Sequence, residues 1–313
     1  SQFCHKKFGQ KNQFINPDVQ AERKKMKIGT RLPPFSREVG FEKYAAWLAE
    51  NGFEAVDTPP LTREIAKTCA KNDLAIGSCD APAGGLLGRD AAQRRKALSE
   101  LKKSLTATAR NGGHTYFTLL SPGDPTQPRA ETFEIFKKVY PKVVAHAEKV
   151  GLQIAIEPWP GGAPYYGNLG CSPESLRRIF AAIPSPNLGI CYDPSHFARM
   201  QIDYQRVLCE FGDRVRHVHL KDTEIIPEKL YESGIAGESY DRTYVCGEGW
   251  WRYTIPGDGE VDWNFIIHRL EDVGYDGVLS VELEDHYYWQ TPELQQEGLL
   301  RSKEYIEQFL KGR

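Results

Sequence analysis

An eight-unit parallel β/α barrel is the fold this sequence predicts, and three observations predict it. Short apolar, strand-like runs alternate strictly with helical stretches from Met26 to the end of the chain. Strict alternation calls for parallel strands joined by crossover helices. Eight such units in roughly 285 residues match the count and size of a closed (β/α)8, or TIM, barrel. A doubly wound open sheet is the rival, but no Gly-x-Gly-x-x-Gly opens a helix after the first strand, so dinucleotide binding loses its main signal.

The elements follow in order. Residues 1–25 are polar and rich in Lys and Arg, and they predict an arm outside the fold; the barrel itself takes residues 26–313. The first strand lies in Met26-Lys-Ile-Gly-Thr-Arg31. Phe41, Tyr44, Ala45 and Leu48 share one face of a helix over 40–50, which ends at Asn51-Gly52, a favourable C-cap. Strand 53–57, helix 61–71, strand 74–79 and helix 89–110 follow, then a stop at Asn111-Gly-Gly113. Strand 116–120 precedes a Pro/Gly loop, helix 130–150 stops at Gly151, and strand 154–157 breaks at Pro158. Ser172-Pro173 supplies an N-cap and a first-turn proline for helix 173–182. Strand 188–193, helix 203–211 and strand 215–221 come next. A long aromatic and glycine-rich insertion occupies 223–260. Asp262 caps helix 263–273, and strand 278–282 and helix 293–311 complete the chain.

Composition excludes several classes. With 40 Lys and Arg against 42 Asp and Glu, the net charge of −2 gives no footprint for nucleic acid or an anionic membrane. No run of about 18 apolar residues predicts a membrane span. The N-terminus lacks the apolar core of a signal peptide. The seven cysteines form no Cys-x-x-Cys pair and are odd in number, so they are expected to be reduced thiols of a cytoplasmic protein.

In a barrel of this kind the chemistry sits where the strands end. The fifth strand ends in Glu157, the sixth in Asp193, the seventh carries His219, and the eighth ends in Glu282. A carboxylate closing an apolar strand is costly to bury unless it is paired or binds a cation. Three carboxylates in one ring repel one another unless a cation sits among them. Glu, Asp, His and Glu form a hard-to-borderline set suited to Mn²⁺, Mg²⁺, Co²⁺ or Fe²⁺, and less specifically to Zn²⁺. Glu284, two residues on, competes with Glu282, which is preferred because it ends the apolar run. His217 shares the face of His219 one layer deeper and reads as a buried hydrogen-bonding residue. Lys221 either neutralises a developing oxyanion or pairs with Asp222 or Glu224.

Five segments carry a resemblance. Ile154-Ala-Ile-Glu157, Tyr192-Asp-Pro-Ser-His196, His217-Val-His-Leu-Lys-Asp222, Ile255-Pro-Gly-Asp-Gly-Glu-Val-Asp-Trp263 and Gly277-Val-Leu-Ser-Val-Glu-Leu-Glu-Asp285 run in order from strand five to strand eight. Together they resemble the sugar phosphate isomerase/epimerase branch of the xylose-isomerase-like barrel superfamily, over residues 26–313. The resemblance implies one divalent metal ion, Mn²⁺ before Mg²⁺, Co²⁺ or Zn²⁺, on Glu157, Asp193, His219 and Glu282. It implies that His196 contacts substrate beside the metal, and that Arg252 is a substrate-binding arginine.

The chemistry expected of that set is enediolate chemistry. A metal bridging adjacent oxygens of a hydroxy-ketone polarises the carbonyl and acidifies the neighbouring C–H. Glu157 and Glu282, three strands apart, then remove a proton from one face and return it to the other. The outcome is ketose epimerisation or isomerisation. Elimination of water or an aglycone from an inosose or 3-keto-glycoside, by a lyase or dehydratase, uses the same intermediate. The insertion holds Tyr231, Tyr240, Tyr244, Trp250, Trp251 and Tyr253, and Trp159 lies in Glu-Pro-Trp-Pro after strand five. Such aromatics either stack on a sugar or aglycone or pack on one another as a lid. No P-loop is present, so a glycoside fits at least as well as a sugar phosphate. An apurinic endonuclease, also found in the superfamily, would need further histidines in the early loops and a basic surface, which the chain lacks. A non-catalytic sugar-binding accessory subunit is the third reading, and self-association is left open.

Overall fold

The barrel is built from short strands whose residues are mostly buried, completely so in the second, the sixth and the last. The computed structural model describes residues 25–82 and 84–310. All but the last residue of the predicted arm therefore lies outside the described residues. Strands β1 (Lys27–Thr30), β2 (Ala55–Thr58), β3 (Ala75–Asp80), β4 (Thr115–Thr118), β5 (Gln153–Ile156), β6 (Leu188–Tyr192) and β7 (Val215–Leu220) pair in parallel, each with the next in the chain. An antiparallel ribbon of β8 (Asp222–Ile225) and β9 (Trp251–Thr254) stands outside the barrel. The chain then returns in β10 (Val278–Val281), which pairs with β7 on one side and β1 on the other and closes the ring. Leu279 lies opposite Val218 and Ser280 opposite His219, so the register places Glu282 just above the His219 level.

The crossover helices are α1 (Pro34–Val39), α2 (Phe41–Glu50), α3 (Arg63–Lys71), α4 (Ala91–Arg110), α5 (Arg129–Val150), α6 (Pro173–Ala182), α7 (Pro194–Arg199) and α8 (Tyr204–Phe211), then α9 (Pro227–Ser233), α10 (Trp263–Asp272) and α11 (Pro292–Leu310). Their starts follow local chemistry. The side chains of Asp90, Ser172 and Asp262 accept from first-turn amides of α4, α6 and α10, satisfying donors that a helix start leaves free. α5 ends at Gly151, whose φ of 78° suits glycine. Most predicted boundaries hold to within two residues; the fourth strand ends two residues earlier than expected, at Thr118.

Three findings were not expected. Short helix α7 grows directly from the end of β6, with Asp193 as its cap, and α1 precedes the first long helix. The 223–260 insertion is ordered around the β8–β9 ribbon, and its Trp250, Trp251 and Tyr253 form a small buried cluster with Ile225, Leu230 and Cys246. The ribbon itself is what the sequence did not show; of the two readings of its aromatics, the lid packed on itself is the one seen for Trp250, Trp251 and Tyr253, while Tyr231 and Tyr240 are exposed. Finally, Cys209 is disulfide-bonded, whereas Cys69, Cys79, Cys171, Cys191 and Cys246 are free. Among the described residues, no helix is long and apolar enough to cross a membrane.

Candidate active site

β7 projects His217, His219 and Lys221 into the barrel, because side chains two apart share a strand face. All three are buried. Glu157 follows β5, Asp193 follows β6 and Glu282 follows β10, so the four predicted ligands do come together at one end of the barrel. His219 Nδ1 is 3.4 Å from Glu157 Oε2, 3.9 Å from Asp193 Oδ2 and 3.2 Å from Glu282 Oε2. One oxygen each of Glu157, Asp193 and Glu282, with a nitrogen of His196, lie within 4.8 Å of one another. Yet Glu157 Oε2, Asp193 Oδ2 and both ring nitrogens of His219 are buried without a hydrogen-bond partner. Unsatisfied buried polar atoms are rare and expensive. Their convergence, in an oxygen-rich set with one imidazole, fits a divalent cation.

The chain supplies its own positive charge beside that point. Lys221 Nζ donates to Glu282 Oε2 at 2.6 Å and Glu284 Oε2 at 3.0 Å, and it lies 3.3 Å from Asp193 Oδ2. Lys221 thus pairs with neither Asp222 nor Glu224. Alternation turns Asp222 to the other face, and Glu224 is taken by Arg252. Glu284 sits at the rim with Lys221, and Glu282 lies deeper. Arg31, just past β1, bonds Asp80 at 3.1 Å and Glu282 Oε1 at 3.1 Å, and it lies over the Phe117 ring.

These charges set the ionisation. Burial would raise the Glu282 carboxyl, but Lys221, His219 and Arg31 outweigh it and hold the group well below the usual range. Burial likewise opposes the Glu157 carboxylate, and the neighbouring His219 and His196 reverse the direction. Burial works against a charged His219, but Glu282 and Glu157 crowd the ring and push its pKa well above the histidine range.

The remaining predicted residues separate. His196, on α7, donates through Nε2 to Glu157 Oε1 at 2.7 Å and belongs to the cluster. Arg252 belongs to the ribbon, bonded to Glu224 Oε2 at 2.6 Å and 3.5 Å from Asp285 Oδ1, with Tyr287 beneath it. Trp159 is half-buried in the loop after β5, where its carbonyl accepts from Asn168. His217 lies below the cluster, bonded to Asp57 Oδ2 at 3.0 Å. His146 bonds Thr106 and His268 bonds the carbonyl of Asn264, away from the site.

Asp57, Arg31 and Arg199 went unremarked in the sequence. For Asp57 the signal was there: it closes the apolar run of the second strand as Glu157 closes the fifth.

The fold and cluster define a barrel with an acidic centre at its mouth, three carboxylates beside His196 and His219. The chain belongs to the xylose isomerase-like TIM barrel family, whose model matches residues 36–305. Fructoselysine 3-epimerase of Escherichia coli O157:H7 is 24% identical over 210 residues, 66% of this chain and 65% of the relative. Inosose dehydratase of Bacillus licheniformis is 30% identical over 152 residues, 47% of each chain. The matches thus span less than two thirds of the length of these curated relatives. The solved structure of 3-keto-D-glucoside 4-epimerase from E. coli superposes with a TM-score of 0.68 at 16% identity, covering 91% of this chain and all of that one, a likeness of fold.

Proposed function

We propose that the chain is a divalent-metal-dependent sugar isomerase or epimerase that acts on a ketose or keto-sugar. The observation that carries this reading is the convergence of unpartnered buried atoms from Glu157, Asp193 and His219, with Glu282 beside them. These four residues would hold the ion, His219 through Nδ1. When bound, a divalent ion such as Mn²⁺ supplies Lewis acidity that draws electrons from a carbonyl and acidifies the adjacent C–H.

The chain's own residues would do the rest. Glu157 and Glu282 rise from strands three places apart in the ring, so they approach a sugar from different sides. One removes a proton and the other returns it to the opposite face or the neighbouring carbon. His196 stands beside Glu157, within reach of a substrate oxygen. Lys221 holds positive charge where an oxyanion would develop. Arg252 and Trp159 are candidates for the far end of the substrate.

A second reading, a lyase or dehydratase on an inosose or 3-keto-glycoside, has its own support in the 30% identity to an inosose dehydratase. Five free cysteines among the described residues favour the cytoplasm as the location.

The test is to strip the protein with a chelator, reload it with Mn²⁺, and incubate it with ketoses, inososes and 3-keto-glycosides in D₂O. Deuterium at an inverted carbon is the expected result. Loss of water or aglycone would move the assignment to the lyase. Failure of metal analysis to find any bound divalent ion after reloading would sink the proposal.

A further inference from the structure

The site contains two histidines close to the same carboxylates, and their roles are decided by a chain of donors behind one of them. Tyr253, in β9, places its hydroxyl 2.6 Å from His196 Nδ1 and 2.7 Å from Arg199 Nη1. Arg199 lies at the end of α7. Its Nη2 donates to the Gly161 carbonyl at 2.6 Å, and its guanidinium stacks on the Trp251 ring at 4.2 Å. All the side chains in this chain of contacts are buried.

A guanidinium can only donate. The Tyr253 oxygen must therefore accept from Arg199, which leaves its single proton free for His196. If Tyr253 donates to Nδ1, that nitrogen carries a lone pair and the ring proton sits on Nε2. His196 Nε2 is 2.7 Å from Glu157 Oε1 and 3.4 Å from Asp193 Oδ2, both acceptors. Lys221 Nζ lies 3.5 Å from Nε2, a longer contact than its bonds to Glu282 and Glu284 and longer than the 2.7 Å from Nε2 to Glu157 Oε1, so the carboxylate takes precedence at that position. Every hydrogen bond along the chain then has one direction, from Arg199 through Tyr253 and His196 to Glu157.

We propose that Arg199 and Tyr253 are positioning residues that fix His196 as the Nε2–H tautomer, so that it presents a donor to the site. The consequence is a division of labour. His196 has no lone pair to offer a cation through Nε2, and its one proton there goes to Glu157 Oε1 or, where that oxygen is turned to a cation, to a substrate oxygen. The ligating imidazole is left to His219, whose Nδ1 faces the carboxylates. The lid acquires a chemical purpose, because Tyr253 belongs to the inserted ribbon and Arg199 ties it to the loop after β5. This inference rests on the site assigned above, but not on the reaction assigned to it.

The test uses metal-free, full-length protein carrying ¹⁵N-labelled histidine, at mildly alkaline pH, with the His196 signals assigned by their loss in H196Q. The expected spectrum shows Nδ1 in the range of an unprotonated ring nitrogen and the proton on Nε2. In Y253F, which preserves the ring, that preference should be lost and signal should move toward the Nδ1–H form. R199M should behave likewise, and R199K, still a pure donor, should restore the preference. A wild-type ring protonated on Nδ1, or a Y253F spectrum identical to wild type in a folded protein, would overturn the proposal. Absence of turnover on every sugar would instead count against the reaction and leave the tautomer result standing.

Discussion

His217 and His219 lie two residues apart on one strand and face the same barrel interior, but their surroundings differ in kind. Around His217 both oxygens of the buried carboxylate are answered. Asp57 Oδ2 accepts from His217 at 3.0 Å and from Ser280 Oγ at 2.8 Å, and Oδ1 accepts from the Ser78 amide at 2.6 Å. Even the backbone is shaped to it, since a Cβ on Gly77 would stand 2.2 Å from Asp57 Oδ1. Around His219, one layer up, Glu157 Oε2, Asp193 Oδ2 and His219 Nδ1 have no hydrogen-bond partner. Both layers are buried and charged. A complete network fixes a structure, and an incomplete one at the same depth keeps room for something the chain does not supply.

The comparison predicts opposite responses to mutation. The largest effect belongs to the upper layer. Glu157→Gln should lower kcat by roughly 10³–10⁴-fold, about 4–5 kcal/mol of barrier, as for loss of a general base that is also a ligand. Its metal affinity, read by titration calorimetry, should fall by more than the ~10–100-fold typical of an outer-shell change. Unfolding of the metal-free variant should change less than that of Asp57→Ala, because the glutamine keeps an oxygen that accepts from His196. A large loss of metal-free stability would erase the distinction between the layers.

Asp57→Ala should do the reverse. Removing the carboxylate strands His217 and Ser280 in the barrel core, and about 3–5 kcal/mol of stability should be lost in urea unfolding. Metal affinity should fall less than in Glu157→Gln. His219 Nε2 is 3.7 Å from Asp57, so some loosening of the ring is expected, on the order of 10-fold. If Asp57→Ala instead abolished metal binding with stability intact, the lower layer would be part of the site and not its foundation.

The same contrast explains what could be read from the sequence. The alternation of apolar runs and helices carries the barrel, because strand and helix periods are local. Glu157, Asp193 and Glu282 stand out because each closes an apolar run, where a charge needs a reason. Partnership does not show in the chain. Lys221 meets Glu282 and Glu284 across 61 and 63 positions, and Asp57 meets Ser280 across 223. For that reason the only ion-pair partners the sequence suggests for Lys221, beside a role toward an oxyanion, are its neighbours Asp222 and Glu224. Tyr253 could be seen only as one aromatic among six, and nothing local connects it with His196, 57 positions away.

Asp222 gives the subtlest test of whether complete hydrogen bonding marks a structural carboxylate. It sits one residue past Lys221 and accepts from the amides of Thr223, Gly257 and Val261 and from the Trp263 indole, at 2.8–3.1 Å. Gly259 is required beside it, since a Cβ there would stand 2.3 Å from Oδ1. Burial nonetheless pushes the carboxyl up to about 6, against those four donors. A carboxyl whose folded pKa exceeds its unfolded value of 3.8 binds its proton more tightly in the folded chain. Its contribution is therefore flat below about pH 4, falls as pH rises to about 6, and is constant above. Roughly two pKa units at 1.36 kcal/mol each give a fall of about 3 kcal/mol. Urea unfolding of wild type and Asp222→Asn across that range isolates this group, because the other carboxylates are common to both. The stability of wild type relative to the variant should decline by about that amount and then level off. A relative stability that rises with pH would mean that the four donors outweigh burial, and that the rim carboxylate is held charged as firmly as Asp57.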